Sequence, residues 1–197
     1  MTYIIRFLIE WIILEEKDGK AKVMANLLLD SQEYNPSNNT AKYTHNGGTG
    51  YSNNYGLSSI RKWLDETFYN TAFNSFQQEL IDAKLLNNSA STTSSSTNIY
   101  GCGNTSDKIF LYAYSEAIEA PFSNEALRQA TGTDYAKCQG LYVYNAGAYD
   151  GNSYWLLRSP DATNAYYCSH VHYDGTIKGG TVYYCAYGIR PVCYFYL

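Results

Sequence analysis

The sequence predicts an α+β fold in which helices from the first two-thirds of the chain pack on a small twisted antiparallel sheet. Three observations support this: a hairpin pattern near the start, apolar residues at helical spacing after residue 58, and many β-formers with few charges after residue 140. A chain of 197 residues is the size of one ordinary domain, and a chain of this size buries about 70% of its extended surface. We therefore treat residues 1–197 as a single domain.

The first element is a predicted β-hairpin. Residues 7–14 are rich in β-branched and aromatic side chains, and Asp18-Gly19 supplies a two-residue turn. Residues 21–29 form the returning strand. The same apolar start is too short to span a bilayer, and Arg6 and Glu10 interrupt it, so we expect neither membrane insertion nor a signal peptide. Localisation is therefore left open.

Two helices are predicted next. Ser58 or Ser59 can cap a helix over residues 60–69, and Asn74 or Ser75 can cap another over residues 76–86. Both carry an apolar stripe that predicts core packing: Ile60, Trp63, Leu64 and Phe68 in the first, and Phe76, Leu80 and Ile81 in the second. We expect Trp63 to lie at the seam between helix and sheet.

Two polar stretches interrupt these elements. Residues 35–57 are rich in Asn, Gly, Ser and Thr, and residues 87–106 are a low-complexity Ser/Thr/Asn segment. Neither composition buries much apolar surface by itself, so we predict mobile insertions at both places.

The remaining elements are short. Residues 108–114 predict a strand, a helical turn follows before Pro121, and Asn124 can cap a helix that reaches about residue 130. After Gly132 we predict strands and loops only. The last strand, residues 188–195, should return to pair near the N-terminal hairpin and bring the chain ends together.

Composition narrows the classes of function. A net charge of −4 with only 16% charged residues argues against a nucleic-acid partner, which needs a basic face. Five cysteines and three histidines show no zinc spacing, so we expect reduced thiols, no cofactor and no metal ligand. Tyrosine is the exception, with 22 copies. Recognition surfaces use tyrosine heavily because it offers wide, rigid contact area with a polar tip.

Several motifs, in order, resemble a bacterial and phage domain family of unknown activity. The clearest are WIIL (11–14), SSIRKWL (58–64), DKIFL (107–111), YWLLRSP (154–160) and GIRPV (188–192). The resemblance implies a C-type-lectin-like fold with long loops. The wider group of that fold includes formylglycine-generating-enzyme-like domains and the variable proteins of diversity-generating retroelements. Through the variable proteins, the resemblance implies a non-catalytic ligand-binding protein in which residues 154–190 form a variable display region.

The tyrosine-rich segment 159–176 fits that implication. It lacks Lys, Glu, Gln, Met and Trp, and each of its residues can be encoded by a codon that ends in cytosine, as adenine-directed mutagenesis of AAC codons would leave. Strand alternation places Tyr166, Cys168, His170 and His172 outward, and separates Tyr183 and Tyr187 from Tyr184. We expect one exposed face for a protein or glycan ligand, made of Tyr154, Asn164, Tyr166, His170, His172, Tyr173, Tyr183 and Tyr187. The alternative is a strand whose hydroxyls bond to loops.

The sequence gives weaker support to an anion-binding site or a metal site. Arg158 and Arg190 could clamp an anion, but a buried arginine more often satisfies loop carbonyls or a carboxylate such as Asp161. His170 and His172 lack a third metal ligand. Asp150-Gly151-Asn152 offers fewer oxygens than calcium takes and favours a turn.

Catalysis is the alternative reading. A formylglycine-generating-like enzyme would use Cys185 or Cys193, but the flanking motif is missing, so we expect no catalytic residue. A structural accessory domain of a phage or cell-surface assembly is the third possibility.

Overall fold

The computed structural model describes residues 8–197, and within them the chain forms a mixed α+β fold. Two five-stranded sheets carry most of the strands, and two small hairpins are added to them. The strands are β1 (Trp11–Lys17), β2 (Lys20–Ala25), β3 (Asp30–Gln32), β4 (Tyr43–His45), β5 (Gly48–Gly50), β6 (Ile81–Asp82), β7 (Lys84–Leu86), β8 (Thr105–Asp107), β9 (Ile109–Phe110), β10 (Trp155–Pro160), β11 (Tyr167–Val171), β12 (Ile177–Thr181), β13 (Tyr187–Ile189) and β14 (Val192–Tyr196).

The first sheet joins both ends of the described chain. Its order is β1-β2-β14-β6, with β9 also paired to β14. The predicted hairpin is confirmed for its described part, and Asp18 and Gly19 turn it with positive φ angles of 51° and 71°. Phe7, where we began the first strand, lies outside the described residues. The return of the predicted last strand (residues 188–195) is confirmed for its second half, since β14 pairs antiparallel with β2. Its first half belongs to β13 in the other sheet.

The second sheet has the order β12-β11-β10-β13-β3. Here the expectation of one small antiparallel sheet was wrong, because there are two sheets and β13 runs parallel to β10 through Trp155 and Gly188. After β10 the chain first forms the β11–β12 hairpin on one side of β10. It then crosses to the other side of β10, and a crossover connection of this kind allows β13 to pair parallel with β10. Gly188 permits this crossing, since a Cβ there would lie 2.9 Å from the Tyr154 carbonyl oxygen.

The first predicted helix is confirmed. It runs through α1 (Ser59–Trp63), a π-helical segment (Leu64–Phe68) and α2 (Tyr69–Ala72), and the Ser58 hydroxyl accepts a hydrogen bond from the Arg61 amide, 3.2 Å away. Ile60 and Leu64 are buried as expected, but Trp63 is only half-buried against the Phe68 ring. Trp63 therefore packs against the buried core without being enclosed in it, and its predicted position is confirmed only in part.

The second predicted helix is mostly absent. Asn74 caps α3 (Ser75–Glu79) as expected, but the chain then extends into β6 and β7. Ile81 pairs with Phe195 on β14, so tertiary pairing overrides the local helical pattern. Phe76, expected in the core, is 69% exposed.

The three remaining α-helices of the described chain are short, and three 3₁₀ turns accompany them (Tyr55–Leu57, Ala90–Thr92 and Gly147–Tyr149). α4 (Tyr114–Ala117) and α5 (Glu125–Arg128) confirm the two predicted turns, and Asn124 caps the second. α6 (Asp134–Cys138) was missed, although Thr133 accepts a hydrogen bond from the Ala136 amide as its N-cap. The predicted strand 108–114 shrinks to β9. Among residues 8–197, no helix has both the length and the apolar character that crossing a bilayer requires.

Hydrogen bonds connect both polar stretches to the rest of the described chain, and their predicted mobility stays a prediction. In residues 87–106, Asn98 donates to the Pro160 carbonyl at 3.1 Å, and the Thr92 carbonyl accepts from Ser159 at 2.8 Å. In residues 35–57, the buried Asn53 side-chain amide donates to the carbonyls of Asn164 and Tyr167 at 2.8 and 2.9 Å. Polar side chains thus hold both stretches where apolar ones are scarce.

Candidate functional site

Tyr154 lies at the centre of a group of aromatic rings, directly before β10. Its ring is parallel to that of Tyr142, with centroids 4.6 Å apart and 5° between the planes. The rings of His170, His172 and Tyr187 lie around it at 5.6, 4.7 and 6.4 Å. Burial, together with Tyr142, raises the pKa of the Tyr154 phenol, which keeps this central hydroxyl protonated.

A second layer of rings extends this group toward solvent. Tyr173 stacks on Tyr144 with centroids 3.7 Å apart, and it also contacts His172, Tyr149 and Tyr154. Tyr184 meets Tyr187 edge to face at 5.0 Å. We call the nine rings the aromatic cluster: Tyr142, Tyr144, Tyr149, Tyr154, His170, His172, Tyr173, Tyr184 and Tyr187.

One loop supplies three of these rings. The Tyr144 amide donates to the Asn152 carbonyl at 2.8 Å, and the Gly151 amide donates back to the Tyr144 carbonyl at 2.8 Å. Gly151 turns the chain with a φ of 85°. The Asn152 side-chain amide donates to the carbonyl of Tyr173 at 3.0 Å. Asn152 thus acts as a donor that fastens the loop to the cluster, which supports the turn rather than a calcium ligand.

The turn after β11 holds the outer rings. The Asp174 carboxylate accepts hydrogen bonds from the amide and the hydroxyl of Thr176, at 2.9 and 2.6 Å, and lies 3.1 Å from Nδ1 of His172. Partial burial opposes ionisation of Asp174, but these contacts prevail and hold its pKa at about 2. A fixed negative charge therefore lies at the edge of the cluster.

Two predicted ligand-binding residues are buried, which corrects the expectation that they are solvent-accessible. His170 is 6% and Tyr187 3% exposed, and Cys168, also expected outward, is fully buried. The reason is that β11 and β13 are inner strands of their sheet, and residues 168–171 of β11 and all of β13 are buried on both faces, so alternation does not mark one face as exposed. Burial lowers the pKa of His170 to about 3. These two side chains support the cluster from beneath.

Two other predicted residues, Asn164 and Tyr166, lie at the opposite end of the β11–β12 hairpin. The Tyr166 ring packs on Tyr167 at 5.2 Å, and the Tyr166 carbonyl accepts from the Val182 amide at 3.0 Å. The backbone carbonyl of Asn164 accepts a hydrogen bond from the side-chain amide of Asn53. β11 places Tyr166 and His172 about 20 Å apart along the strand, at 3.3 Å per residue. The single predicted face is therefore divided.

The stretch before β13 also differs from the prediction. Residues 182–186 form turns instead of a strand, so alternation does not apply to them. Tyr183 is exposed as expected, and Tyr184, which the predicted alternation places on the opposite face, is also exposed. Among the described aromatic contacts, none joins Tyr166 or Tyr183 to the cluster.

The sequence reasoning missed four members of the cluster: Tyr142, Tyr144, Tyr149 and Tyr184. A signal was present, because Tyr142 and Tyr144 flank Val143 at the spacing of two that places them on one side of an extended segment. Val143 indeed bridges to Ser153. Tyr142, Tyr144 and Tyr149 lie outside residues 154–190, where the resemblance predicts the display region, whereas Tyr184 lies inside that region and was excluded by the predicted strand alternation.

The two arginines have structural roles. Arg158 donates to the Leu111 carbonyl at 2.7 Å and to the Asn88 side chain at 3.2 Å, and it forms an ion pair with Glu116 instead of Asp161. Arg190 donates to the Ala25 carbonyl at 3.0 Å and to that of Asn26 at 3.2 Å. These contacts use most of the guanidinium donors inside the fold, although Nη1 of Arg190 is buried without a hydrogen-bond partner among the described residues. The observed partners are carbonyls, one side-chain amide and one carboxylate of the chain itself, which favours the structural role over the anion clamp.

The cysteines and histidines show no arrangement typical of catalysis. Burial raises the pKa of the Cys193 thiol on β14, which disfavours the nucleophilic thiolate, whereas Cys185 is exposed. In the part of the chain that the structure describes, no three His, Cys, Asp or Glu side chains converge as metal ligands. The aromatic cluster is therefore the best candidate site.

Comparison with known proteins identifies a protein family. A protein-family model described as "Domain of unknown function (DUF6273)" matches residues 18–196. No curated protein and no solved structure matches the chain.

Proposed function

We propose a binding role for this chain, which belongs to the DUF6273 family, a domain family of unknown function. The protein acts as a non-catalytic module that binds a protein or glycan ligand through the aromatic cluster. The observation that carries the proposal is the outward layer of the cluster, where Tyr149 and Tyr184 are exposed and Tyr144, His172 and Tyr173 are half-buried.

The exposure of these rings is explained better by ligand binding than by a contribution to folding stability. Rings that contact each other at the surface leave much of their area in water, and contiguous exposed aromatic patches usually mark binding sites. Hydrogen bonds from Asn152 and Thr176 fix the loops that carry these rings. A ligand would therefore meet side chains that are already ordered, which reduces the entropy that binding costs.

The chemistry of the patch fits a protein or glycan surface. Tyrosine combines a flat apolar ring with a hydroxyl that donates and accepts hydrogen bonds, and interfaces are enriched in it. Charged side chains are few here: Asp174 lies at the edge, and Lys178 interacts electrostatically with His170. Such a patch can stack on a ligand and form hydrogen bonds with it, but it discriminates little between ligands of different charge.

We also propose that the scaffold is C-type-lectin-like and that residues 154–190 belong to a diversified region. The meeting of β2 and β14 supports the first point, and six of the nine rings fall within 154–190. Sequencing the surrounding locus tests the second. A reverse-transcriptase gene and a near-copy of this segment with adenines at the tyrosine codons support it, and a locus without both refutes it.

Binding itself is tested by comparing three proteins on a glycan array and on arrays of bacterial surface proteins. These are the wild type, the triple variant Tyr144→Ser/Tyr149→Ser/Tyr173→Ser, and the control Tyr135→Ser, which changes an exposed tyrosine of α6. We expect the triple variant to lose signals that the control keeps, because a few aromatic anchors carry most interface energy. Equal binding by all three folded proteins contradicts the proposal.

A further inference from the structure

A cleft separate from the aromatic cluster lies beside β3. It is a cleft of about 280 Å³ between β3 and the first turns of the helix that begins at Ser59. Its main lining residues are Gln32, Glu33, Ile60, Lys62, Trp63 and Glu66. None of these residues belongs to the cluster, although Gln32 pairs with Tyr187 across β3 and β13.

The cleft has an apolar floor and one aromatic wall. Ile60 is buried at its base, and Trp63 is half-buried, with its ring centroid 5.5 Å from that of Phe68. Phe68 is itself in the core, so the indole is supported from within while part of it faces the cleft. A supported tryptophan ring is the best aromatic partner for a cation.

The charges around this ring are not balanced inside the protein. Glu33 and Glu66 bring two carboxylates and Lys62 one ammonium group. Within residues 8–197, no ion pair shorter than 4.0 Å involves any of the three. Partial burial raises the pKa of the Glu33 carboxyl, with no donor or cation acting against it. A positive group placed here would offset the cost of burying that carboxylate.

We propose that this cleft binds an organic cation, specifically an alkylammonium group carried by a free amine or by a lysine side chain. Glu33 supplies the opposite charge, Trp63 the ring face and Ile60 the apolar contact for the alkyl stem. Lys62 opposes the ligand through its like charge and so limits affinity. This site does not depend on the aromatic cluster.

The indole N–H resonances provide the assay, because the chain has only three tryptophans. Trp155, whose indole donates to the Arg128 carbonyl at 2.9 Å inside the core, serves as the internal reference, and Trp63→Phe assigns the reporter peak. The probes are n-butylammonium, its neutral analogue n-butanol, and the blocked peptide Ala-Lys-Ala. We expect n-butylammonium to shift the Trp63 peak saturably, with millimolar affinity as befits so small a ligand.

Three variants separate charge recognition from simple apolar binding. Glu33→Gln should weaken n-butylammonium binding at least about fivefold, and Lys62→Gln should strengthen it about twofold, since removing one charge at close range changes affinity by such factors. Glu79→Gln, at an exposed position on α3, is the matched control and should change nothing.

The outcomes are decisive. Tighter binding of the peptide than of n-butylammonium identifies a lysine side chain as the source, and the reverse identifies a free amine. Equal shifts with n-butanol, no saturable shift with the cation, or unchanged binding in Glu33→Gln overturns the proposal. The triple variant Tyr144→Ser/Tyr149→Ser/Tyr173→Ser should keep this binding, so failure here and failure of the proposed function are distinguishable.

Discussion

Arg158 on β10 and Glu116 on α4 form an ion pair that also reaches the other sheet. The Lys22 ammonium on β2 lies 2.8 Å from the second oxygen of the same carboxylate, and the Ala113 amide donates to the first at 2.8 Å. One carboxylate therefore connects β2 of the first sheet with β10 of the second. Although burial opposes it, the positive charges of Arg158 and Lys22 lower the pKa of Glu116.

Removing this carboxylate should weaken the protein. We expect Glu116→Gln to lower the free energy of unfolding by about 2–4 kcal/mol, because it leaves the buried Arg158 without its counter-ion. Urea denaturation measures the loss, with the exposed Glu119→Gln as the control. Because the pKa of Glu116 is lowered on folding, its contribution is present above its ordinary value of 4.5 and disappears as the pH falls. Equal stability of both variants would show that the pair does not join the sheets.

Gly180 on β12 permits the burial of His170 and Tyr187. A Cβ at this position would meet the Tyr187 hydroxyl and would lie 2.9 Å from Cε1 of His170. We expect Gly180→Ala to cost about 1–3 kcal/mol of unfolding free energy, as overpacking usually does. Gly103→Ala, where a Cβ meets nothing within 4 Å, is the control.

A second substitution tests that explanation. Tyr187→Phe removes the hydroxyl that the new methyl group would meet, so it should restore part of the stability that Gly180→Ala loses. Thermal unfolding of both single variants and the double variant gives the coupling. Strictly additive losses would show that the two sites do not touch.

His170 should make the protein sensitive to acid. Burial is the main cause that lowers its pKa from 6.5 to about 3, and His172 and Lys178 add to it. Below pH 6.5 the unfolded chain therefore binds a proton at His170, whereas the folded chain does not bind it until the pH falls to about 3. Stability should decrease across that window, by about 2 kcal/mol at pH 5.

NMR titration of the His170 imidazole and urea denaturation at pH 7 and pH 5 measure this effect. His170→Asn lacks the titrating group and should lose less stability between the two pH values than the wild type. A His170 resonance that titrates near pH 6.5, together with equal losses in both proteins, would contradict the burial of this ring.

The sequence predicted those turns and helix caps that a few neighbouring residues determine. The Asp18-Gly19 turn and the Ser58 cap were both recognised, because a turn and a cap are set by a few neighbouring residues. The segment after Asn74 was not, because Ile81 pairs with Phe195, a residue more than a hundred positions away. Long-range pairing of this kind leaves no local signal.

The same limit explains the partial prediction of the site. Tyr154, His172 and Tyr173 were expected on one surface and do lie together. The burial of His170 depends on which strands flank β11, which a single sequence does not reveal. Tyr144 joins the cluster through a loop folded back by Asn152, and its stacking on Tyr173 follows from that loop geometry.

The last prediction concerns three tyrosines that the sequence had grouped as equally exposed. Tyr183 is 43% exposed, Tyr166 is half-buried, and Tyr187 is 3% exposed beneath Tyr154 and Tyr184. Tyr183→Ser should therefore change the free energy of unfolding by less than about 0.5 kcal/mol, as surface substitutions usually do. Tyr187→Ser should cost about 3–5 kcal/mol, because it removes a large aromatic ring from a packed site.

Tyr166→Ser should fall between these values, since its ring keeps one contact with Tyr167. Urea denaturation of the three single variants, each followed by tyrosine fluorescence and circular dichroism, gives the ranking. A Tyr187→Ser protein as stable as Tyr183→Ser would mean that Tyr187 is not the support under the cluster. The exposed rings would then lack the fixed base that pre-ordered binding requires, and the proposed recognition surface would lose its structural basis.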